Sequence, residues 1–168
     1  MTISMYQASV PVFQRMIKNL DGILDKAAAW APTRKIEPQV LLQARLAPDM
    51  FALVRQVQVV SDNAKGAPAR LAGVKPPAFE DNETSFAELK ARLHKTKIFL
   101  DTLTPAQIDG SEARDIVLKL GPREVQFKGQ DYLLGFAIPN TFFHYAMSYA
   151  ILRHNGLDLG KPDFIGAS

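Results

Sequence analysis

Histidine is the residue type best able to do chemistry in this chain of 168 residues, which contains three histidines and no cysteine. The absence of cysteine excludes disulfides, thiolate nucleophiles and iron–sulfur clusters. His144 lies in an aromatic segment, FFHYAMSYA, and Ser148 follows it one helical turn later. An imidazole at such a position could be a general base or a ligand of a divalent metal. The alternative is a neutral core histidine that a hydroxyl or carbonyl group satisfies.

The other two histidines are predicted to play structural or surface roles. His94 lies among lysines in ARLHKTK, on the expected outer face of a helix, and we expect it to be solvated. His154 precedes Gly156, which is typical of a helix end, so we expect it to interact with the last carbonyl groups. The three histidines are therefore not expected to form a three-histidine metal site.

Polar residues of the second long helix supply the remaining candidates. Gln58 and Asp62 are one turn apart, and a carboxylate there could complete a site with His144 if that face turned inward. Amphipathicity favours instead a solvated face on which Asp62 pairs with Lys65 or Arg55. Both interpretations stay open at this point. The predicted cleft consists of four residues, with His144 as its metal ligand: His144, Ser148, Gln58 and Asp62.

Charge and motif content narrow the functional classes. The 20 basic and 17 acidic residues give a net charge of +3 and are scattered along the chain, which argues against a nucleic-acid partner. The first residues lack the features of a signal peptide, so a cytoplasmic location is expected. The uncharged stretch Tyr132–Leu152 is interrupted by Pro139 and His144, which favours a buried element over a membrane span. Zinc-protease, phosphate-loop, dinucleotide and serine-hydrolase motifs are not found.

Apolar residues at spacings of three and four predict four long helices that would position these side chains. A capping box at Ser85 and Glu88 marks the start of the third helix, and Gly73 marks the end of the second. The first predicted helix begins near Val10 or is kinked there, and the second opens at Pro48–Asp49. The later ones begin near Phe86 and Pro139, and a short one begins at Pro38.

A change to alternating hydrophobicity between Asp115 and Lys128 predicts a β-hairpin, with Gly121–Glu124 as its turn. An isolated hairpin is marginal, so it must pack on the helices or on another chain. The last helix is apolar on nearly every side from Phe142 to Leu152, which predicts a place at the bundle centre, or against both the bundle and a partner subunit. These features together predict a homodimer.

Two segments, ARLAPDMFALVRQVQVVSDNAKGAPARLAG and FFHYAMSYAILRHNGLDLGKPDF, resemble an uncharacterised bacterial branch of the DinB/YfiT-like superfamily. The resemblance covers essentially the whole chain. It implies an all-α protein: a four-helix bundle with a long crossover connection and a small β-hairpin insertion before the last helix. It also implies a single domain over 1–168 that is commonly dimeric.

The superfamily includes metal-dependent hydrolases and thiol-dependent transferases. Their usual metal triad has one histidine on the second helix and two, four residues apart, on the last. By this resemblance His144 matches the first paired position, Ser148 occupies the second, and the second helix has no histidine. We therefore predict a degenerate metal site, no cofactor, and a small-molecule-binding or dimeric module. The alternative is a hydrolase or transferase in which His144 holds a divalent metal such as zinc or nickel.

Overall fold

The computed structural model describes residues 2–166, which form a mainly helical fold with one two-stranded antiparallel hairpin. The elements, in chain order, are α1 (Val10–Thr33), α2 (Pro38–Leu42), α3 (Leu53–Ala72), α4 (Phe86–Asp101), α5 (Pro105–Ile108), β1 (Asp115–Leu120), β2 (Arg123–Lys128), α6 (Gly129–Tyr132), a π-helical turn (Leu133–Ala137), α7 (Ile138–His154) and α8 (Lys161–Ile165).

Helix α3 is central to the packing of the long helices. It packs against α1, α4 and α7, while α1 also packs against α4 and α7. The apolar stripe predicted for α1 is confirmed, since Phe13, Leu20 and Leu24 are completely buried. Burial of side chains of this size contributes about 1.5–3 kcal/mol each, which makes this stripe a main source of stability.

The helix ends follow local signals, with one exception. Gly73 ends α3 with a left-handed φ of 70°, as predicted. Ser85 Oγ accepts a hydrogen bond from the N–H of Glu88 at 3.2 Å, which confirms the start of α4. The predicted start of α3 at Pro48–Asp49 was wrong. Helix α3 begins at Leu53, whose N–H donates to the Ala44 carbonyl at 2.9 Å, so a contact with the preceding segment sets the helix start.

The π-helical turn joins α6 to α7 in one continuous helical path. The N–H of Ile138 donates to the carbonyl of Leu133, five residues earlier. Pro139 follows at once, and a proline ring clashes with the carbonyl four residues before it in a regular α-helix. The wider turn gives that ring room, and it changes the direction in which the side chains of α7 project.

Helix α7 buries only part of its surface. Phe143 is 51% exposed, and Phe142 is exposed as well. The prediction that α7 is enclosed at the bundle centre was therefore wrong, whereas contact with a partner subunit stays a prediction. The buried residues form a single stripe: Thr141, Tyr145, Ser148, Ile151 and Leu152.

The β-hairpin is confirmed, and it packs on the helices. Ile116 and Leu118 of β1 are buried in the common core, and the Phe127 ring of β2 lies 5.5 Å from that of Phe136. The turn is shorter than predicted, since Leu120 pairs with Arg123 and only Gly121–Pro122 connects the strands. Gly121 has a φ of 60°, a conformation that glycine adopts without strain in tight hairpin turns.

Two predictions about the whole chain have different outcomes. None of the helices among the described residues is long and apolar enough to cross a membrane. The single domain over 1–168 stays a prediction, and Met1, Ala167 and Ser168 lie outside the described residues.

Candidate functional site

Two sets of polar side chains, from α3 and from the segments packed on it, lie at opposite faces of α3. Gln56 and Gln58 are only two residues apart, which rotates their side chains by about 200° around the helix axis. We name the first set the ionic cluster, which consists of Arg55, Gln58, Asp62, Lys65, Asp81, Glu83 and Arg92. We name the second set the α3–α7 groove, which consists of Gln56, Asn63, Arg70, Tyr132, Asn140 and His144.

Arg92 of α4 is the centre of the ionic cluster and is only 2% exposed. Its guanidinium group lies 2.7 Å from Asp62, 3.0 Å from Asp81 and 2.9 Å from Glu83. Burial acts to lower the pKa of Arg92, but the hydrogen bond to Glu83 and the charge of Asp62 outweigh it and raise that pKa. The guanidinium group therefore stays charged in its buried position.

The polar face predicted to be solvated is covered in the structure. Gln58 and Lys65 are both buried, because the chain segment 79–83 lies over them. Gln58 donates to Glu83 at 2.8 Å and accepts from Arg55 at 3.2 Å. The predicted pairing of Asp62 with Lys65 is confirmed. This cluster ties segment 79–83 to α3 and α4 with ion pairs whose members all have partners.

His144 lies on the other side of α3, at one end of the α3–α7 groove. Its Nδ1 lies 2.7 Å from Oε1 of Gln56, and the Gln56 amide nitrogen donates to the Phe51 carbonyl at 3.1 Å. Because the amide oxygen can only accept, Nδ1 carries the proton in this arrangement. The lone pair of the neutral imidazole is then on Nε2.

Burial lowers the pKa of His144, and the nearby positive charge of Arg55 lowers it further. The imidazole is therefore neutral at pH 7. The ring stacks on Phe51 with centroids 6.2 Å apart and meets Phe143 edge-on at 5.2 Å. Both phenylalanines are half exposed, so His144 sits in an aromatic patch that reaches the surface.

The donor set around His144 does not fit a divalent transition metal. Ser148 is completely buried, and its hydroxyl donates to the backbone carbonyl of His144 at 2.9 Å. The Gln56 amide is already bonded at both ends. This leaves one imidazole nitrogen, whereas zinc sites use three or four protein ligands. Within residues 2–166, no group of three or more His, Cys, Asp or Glu side chains could hold a metal ion.

Further along the groove, a cleft of about 310 Å³ opens between α3, α7 and the hairpin. Asn63 lines it, and the amide nitrogen Nδ2 of Asn63 is buried without a hydrogen-bond partner among the described residues. Arg70 donates to the hydroxyl of Tyr132 at 3.2 Å and lines the same cleft, as does Asn140. A buried donor without a partner costs about 1–3 kcal/mol, so any acceptor that reaches this amide would relieve that cost.

A larger cleft, of about 450 Å³, lies between α1, α7 and α8, and the Tyr145 and Asn19 side chains that line it are already bonded within the chain. The hydroxyl of Tyr145 donates to the Phe164 carbonyl at 2.7 Å, and Asn19 donates to the same carbonyl at 3.1 Å. These bonds hold α8 against the body of the protein. The groove cleft is therefore the better candidate for recognition of a polar ligand.

The four residues predicted to form a cleft have partners in two separate sets. His144 and Ser148 lie together on α7, with Gln56 as the partner of the imidazole. Gln58 and Asp62 bond within the ionic cluster. The predicted positions of the other histidines agree with the structure, since His94 is exposed and His154 is the last residue of α7.

Sequence reasoning missed Gln56, Asn63 and Arg70, although a signal for them exists. They recur every seven residues, which places them on one face of a helix. Gln56 also interrupts the apolar stripe of α3, between Leu53 and Val60. A polar residue inside an apolar stripe indicates a buried hydrogen bond, and here that bond goes to His144.

Comparison with known proteins gives a family but no activity. Residues 5–165 match the model of a family described as a domain of unknown function, DUF1993. The chain is also similar to a crystal structure of a DinB family member protein from Shewanella denitrificans, with 40% identity and a TM-score of 0.89. That match covers 97% of this chain and 92% of the other. No curated protein matches the sequence.

Proposed function

This chain belongs to the DUF1993 family, an uncharacterised domain similar to DinB proteins, and from that premise we propose that it is a dimeric small-molecule-binding module. In this proposal the long helices α1, α3, α4 and α7 form the four-helix bundle of the superfamily, with a long crossover connection. The ligand binds in the α3–α7 groove. At one end of this groove, His144 bonds to Gln56 and holds no resident metal.

One observation carries the ligand-binding proposal. The groove cleft combines a volume of about 310 Å³ with a buried amide nitrogen of Asn63 that has no partner among the described residues. Small-molecule sites are concave and contain polar groups that fix the orientation of the ligand, and polar groups make up the larger part of this lining. Val117, Leu118 and Phe136 form the apolar walls of this cleft. A ligand acceptor placed at Asn63 would satisfy the orphan donor and add to the affinity.

The ligand-binding proposal is tested by screening a small-fragment library for thermal stabilisation of the wild type and Asn63→Leu. Leucine removes the amide and fills the cleft, so we expect fragments that stabilise the wild type to lose their effect. Asn82→Leu is the matched control, because Asn82 is exposed and lies away from the groove. A screen without any Asn63-dependent fragment would refute the proposed function.

Metal-dependent hydrolysis or transfer at His144 is the competing function. It requires a metal in stoichiometric amount, and the donor set described above provides only one imidazole nitrogen. Elemental analysis of protein purified without an affinity tag distinguishes the two. We expect less than stoichiometric zinc or nickel. A stoichiometric metal that disappears in His144→Ala would establish the competing function.

Dimerisation is the second part of the proposal, and the outward face of α7 supports it. This face carries no charged side chain from Pro139 to Ala150. Large exposed rings, Phe142 and Phe143, lie at one end, and the small residues Ala146 and Ala150 follow one and two turns later. A two-fold axis across the helix would seat the rings of one copy on the alanines of the other. The surface is therefore complementary to itself.

Sedimentation equilibrium at micromolar concentration tests the dimer. We expect a dimer for the wild type and a monomer for Phe143→Lys, because a lysine would have to be buried in the apolar contact. The matched control is Ile98→Lys on α4, since Ile98 is 53% exposed and Phe143 is 51% exposed. A monomeric wild type, or equal effects of the two lysines, would rule out this interface.

A further inference from the structure

We infer that the groove cleft binds a small molecule with an oxyanion head, a carboxylate or a phosphate, attached to an apolar group. This inference rests on the proposed function and specifies the chemical class of its ligand. It follows from three properties of the cleft: the sign of its charges, the position of Arg70, and the presence of both polar and apolar residues in its lining.

The charged residues at the cleft are basic. Arg70 and Lys119 line it, and none of the described residues that line it is acidic. Lys119 is exposed and stands opposite Glu124 across the hairpin, so its charge is partly balanced at the rim. Arg70 is half-buried and donates to a neutral hydroxyl, that of Tyr132. Its positive charge therefore has no carboxylate to balance it inside the cleft.

The phenol of Tyr132 is suited to this arrangement because it stays neutral. Burial raises the pKa of Tyr132, although the Arg70 charge acts to lower it. A neutral hydroxyl orients the guanidinium group without cancelling its charge. An arginine has five N–H donors, and the bond to Tyr132 uses one of them. The remaining donors can bind a carboxylate or phosphate, which arginine recognises through paired hydrogen bonds.

Gly66 allows the Arg70 side chain to lie back along α3. A Cβ atom at position 66 would come within 2.5 Å of a guanidinium nitrogen of Arg70. Glycine inside a helix is unfavourable by about 1 kcal/mol relative to alanine, and this contact gives a reason for its presence. The glycine thus leaves room for the guanidinium group against α3, in the cleft that Asn63 also lines.

The lining of the cleft contains groups that suit both parts of such a ligand. Asn63, Asn140 and Arg70 supply amide and guanidinium groups. Val117 of the hairpin and Phe136 of the π-helical turn supply apolar surface. An oxyanion would then satisfy the orphan Nδ2 of Asn63 and the charge of Arg70 together, while its apolar group contacts Phe136.

Three probes of nearly equal shape test the inference by calorimetric titration: phenylacetate, phenylphosphate and the neutral phenylacetamide. We expect at least one anion to bind about tenfold more tightly than phenylacetamide, as expected for one charge-assisted interaction. Which anion binds more tightly identifies the head group as a carboxylate or a phosphate. Arg70→Gln should remove the preference for the anions, and the exposed Arg153→Gln on α7 should keep it.

Lys119→Gln provides a second variant on the exposed hairpin, so the test does not depend on the folding of Arg70→Gln. We expect it to weaken anion binding by a smaller factor than Arg70→Gln. Equal affinity of the wild type for phenylacetamide and the anions would overturn the inference but leave the proposed function standing. Anion binding that is unchanged in Arg70→Gln would place the anion elsewhere and would also overturn it. If neither anion binds at concentrations up to millimolar, the inference is overturned as well.

Discussion

On the ionic-cluster side of α3, Asp62 bonds to Lys65 and to the buried Arg92. On the groove side the next residue, Asn63, keeps a buried amide nitrogen without a partner among the described residues. The two regions flank one helix, and a cleft lies beside each of them. They differ in whether their buried polar groups are satisfied within the chain.

Whether the groups of a buried polar set are satisfied within the chain indicates whether the set has a structural or a ligand-binding role. A set whose donors and acceptors are all matched supplies structure, because nothing remains for a ligand to bind. A set with an unpaired donor, an unbalanced charge and a cleft beside it still has groups that a ligand can satisfy. The ionic cluster therefore holds segment 79–83 in place, and the groove is assigned to ligand binding.

The largest expected effect is the loss of stability when the ionic cluster loses its centre. Arg92→Met should lower the free energy of unfolding by about 3 kcal/mol, since it leaves Asp62 and Glu83 without their buried partner. Urea denaturation measures it. Lys95→Met is the control, because Lys95 is exposed on the same helix. If Arg92→Met keeps wild-type stability, the ionic cluster does not have the structural role proposed for it.

Gly66→Ala should weaken ligand binding in the groove without lowering the stability of the fold. Alanine favours the helix by up to about 1 kcal/mol, but its methyl group displaces the Arg70 guanidinium. We expect an equal or higher melting temperature together with about tenfold weaker binding of the preferred anionic probe. Gly22→Ala on α1 is the matched control, because a Cβ there meets no atom within 4 Å. Unchanged binding in Gly66→Ala would show that the guanidinium position is unimportant.

The smallest expected effect is a change in the pH dependence of stability when His144 is replaced. Since burial lowers its pKa from the ordinary value of 6.5, the unfolded state takes up the proton first as the pH falls. Stability due to the neutral imidazole is therefore complete above pH 6.5 and decreases as the pH falls below it. Denaturation between pH 5 and 7 should show a shallower pH dependence for His144→Asn than for the wild type.

The elements were largely predictable because their signals are local. The Ser85–Glu88 capping box, the end of α3 at Gly73 and the alternation in the hairpin each specify a structure within a few residues. The orientation of α7 was not predictable from the sequence. Its apolar residues lie all around the helix, so no periodic stripe distinguishes the buried side of Ser148 from the exposed side of Phe143.

The site was only half predictable, and the reason is long-range packing. His144 stood out by its type and its aromatic surroundings, but its partner Gln56 is 88 residues away in sequence. Gln58 looked solvated because its helix is amphipathic. The cover comes from segment 79–83, whose extended sequence gives no sign of where it docks. Local patterns identify faces of helices, and only the fold decides what covers them.

The adjacent residues Asp62 and Asn63 provide the most direct test of the central claim that the two faces of α3 have separate roles. Asp62→Asn and Asn63→Asp are measured side by side, for melting temperature and for affinity toward the preferred anionic probe. We predict that Asp62→Asn lowers the melting temperature and keeps the affinity. Asn63→Asp should keep the fold and lose the affinity at least tenfold, because it puts a negative charge in the cleft. Equal losses of stability and affinity in both variants would show that the two faces of α3 do not have separate roles.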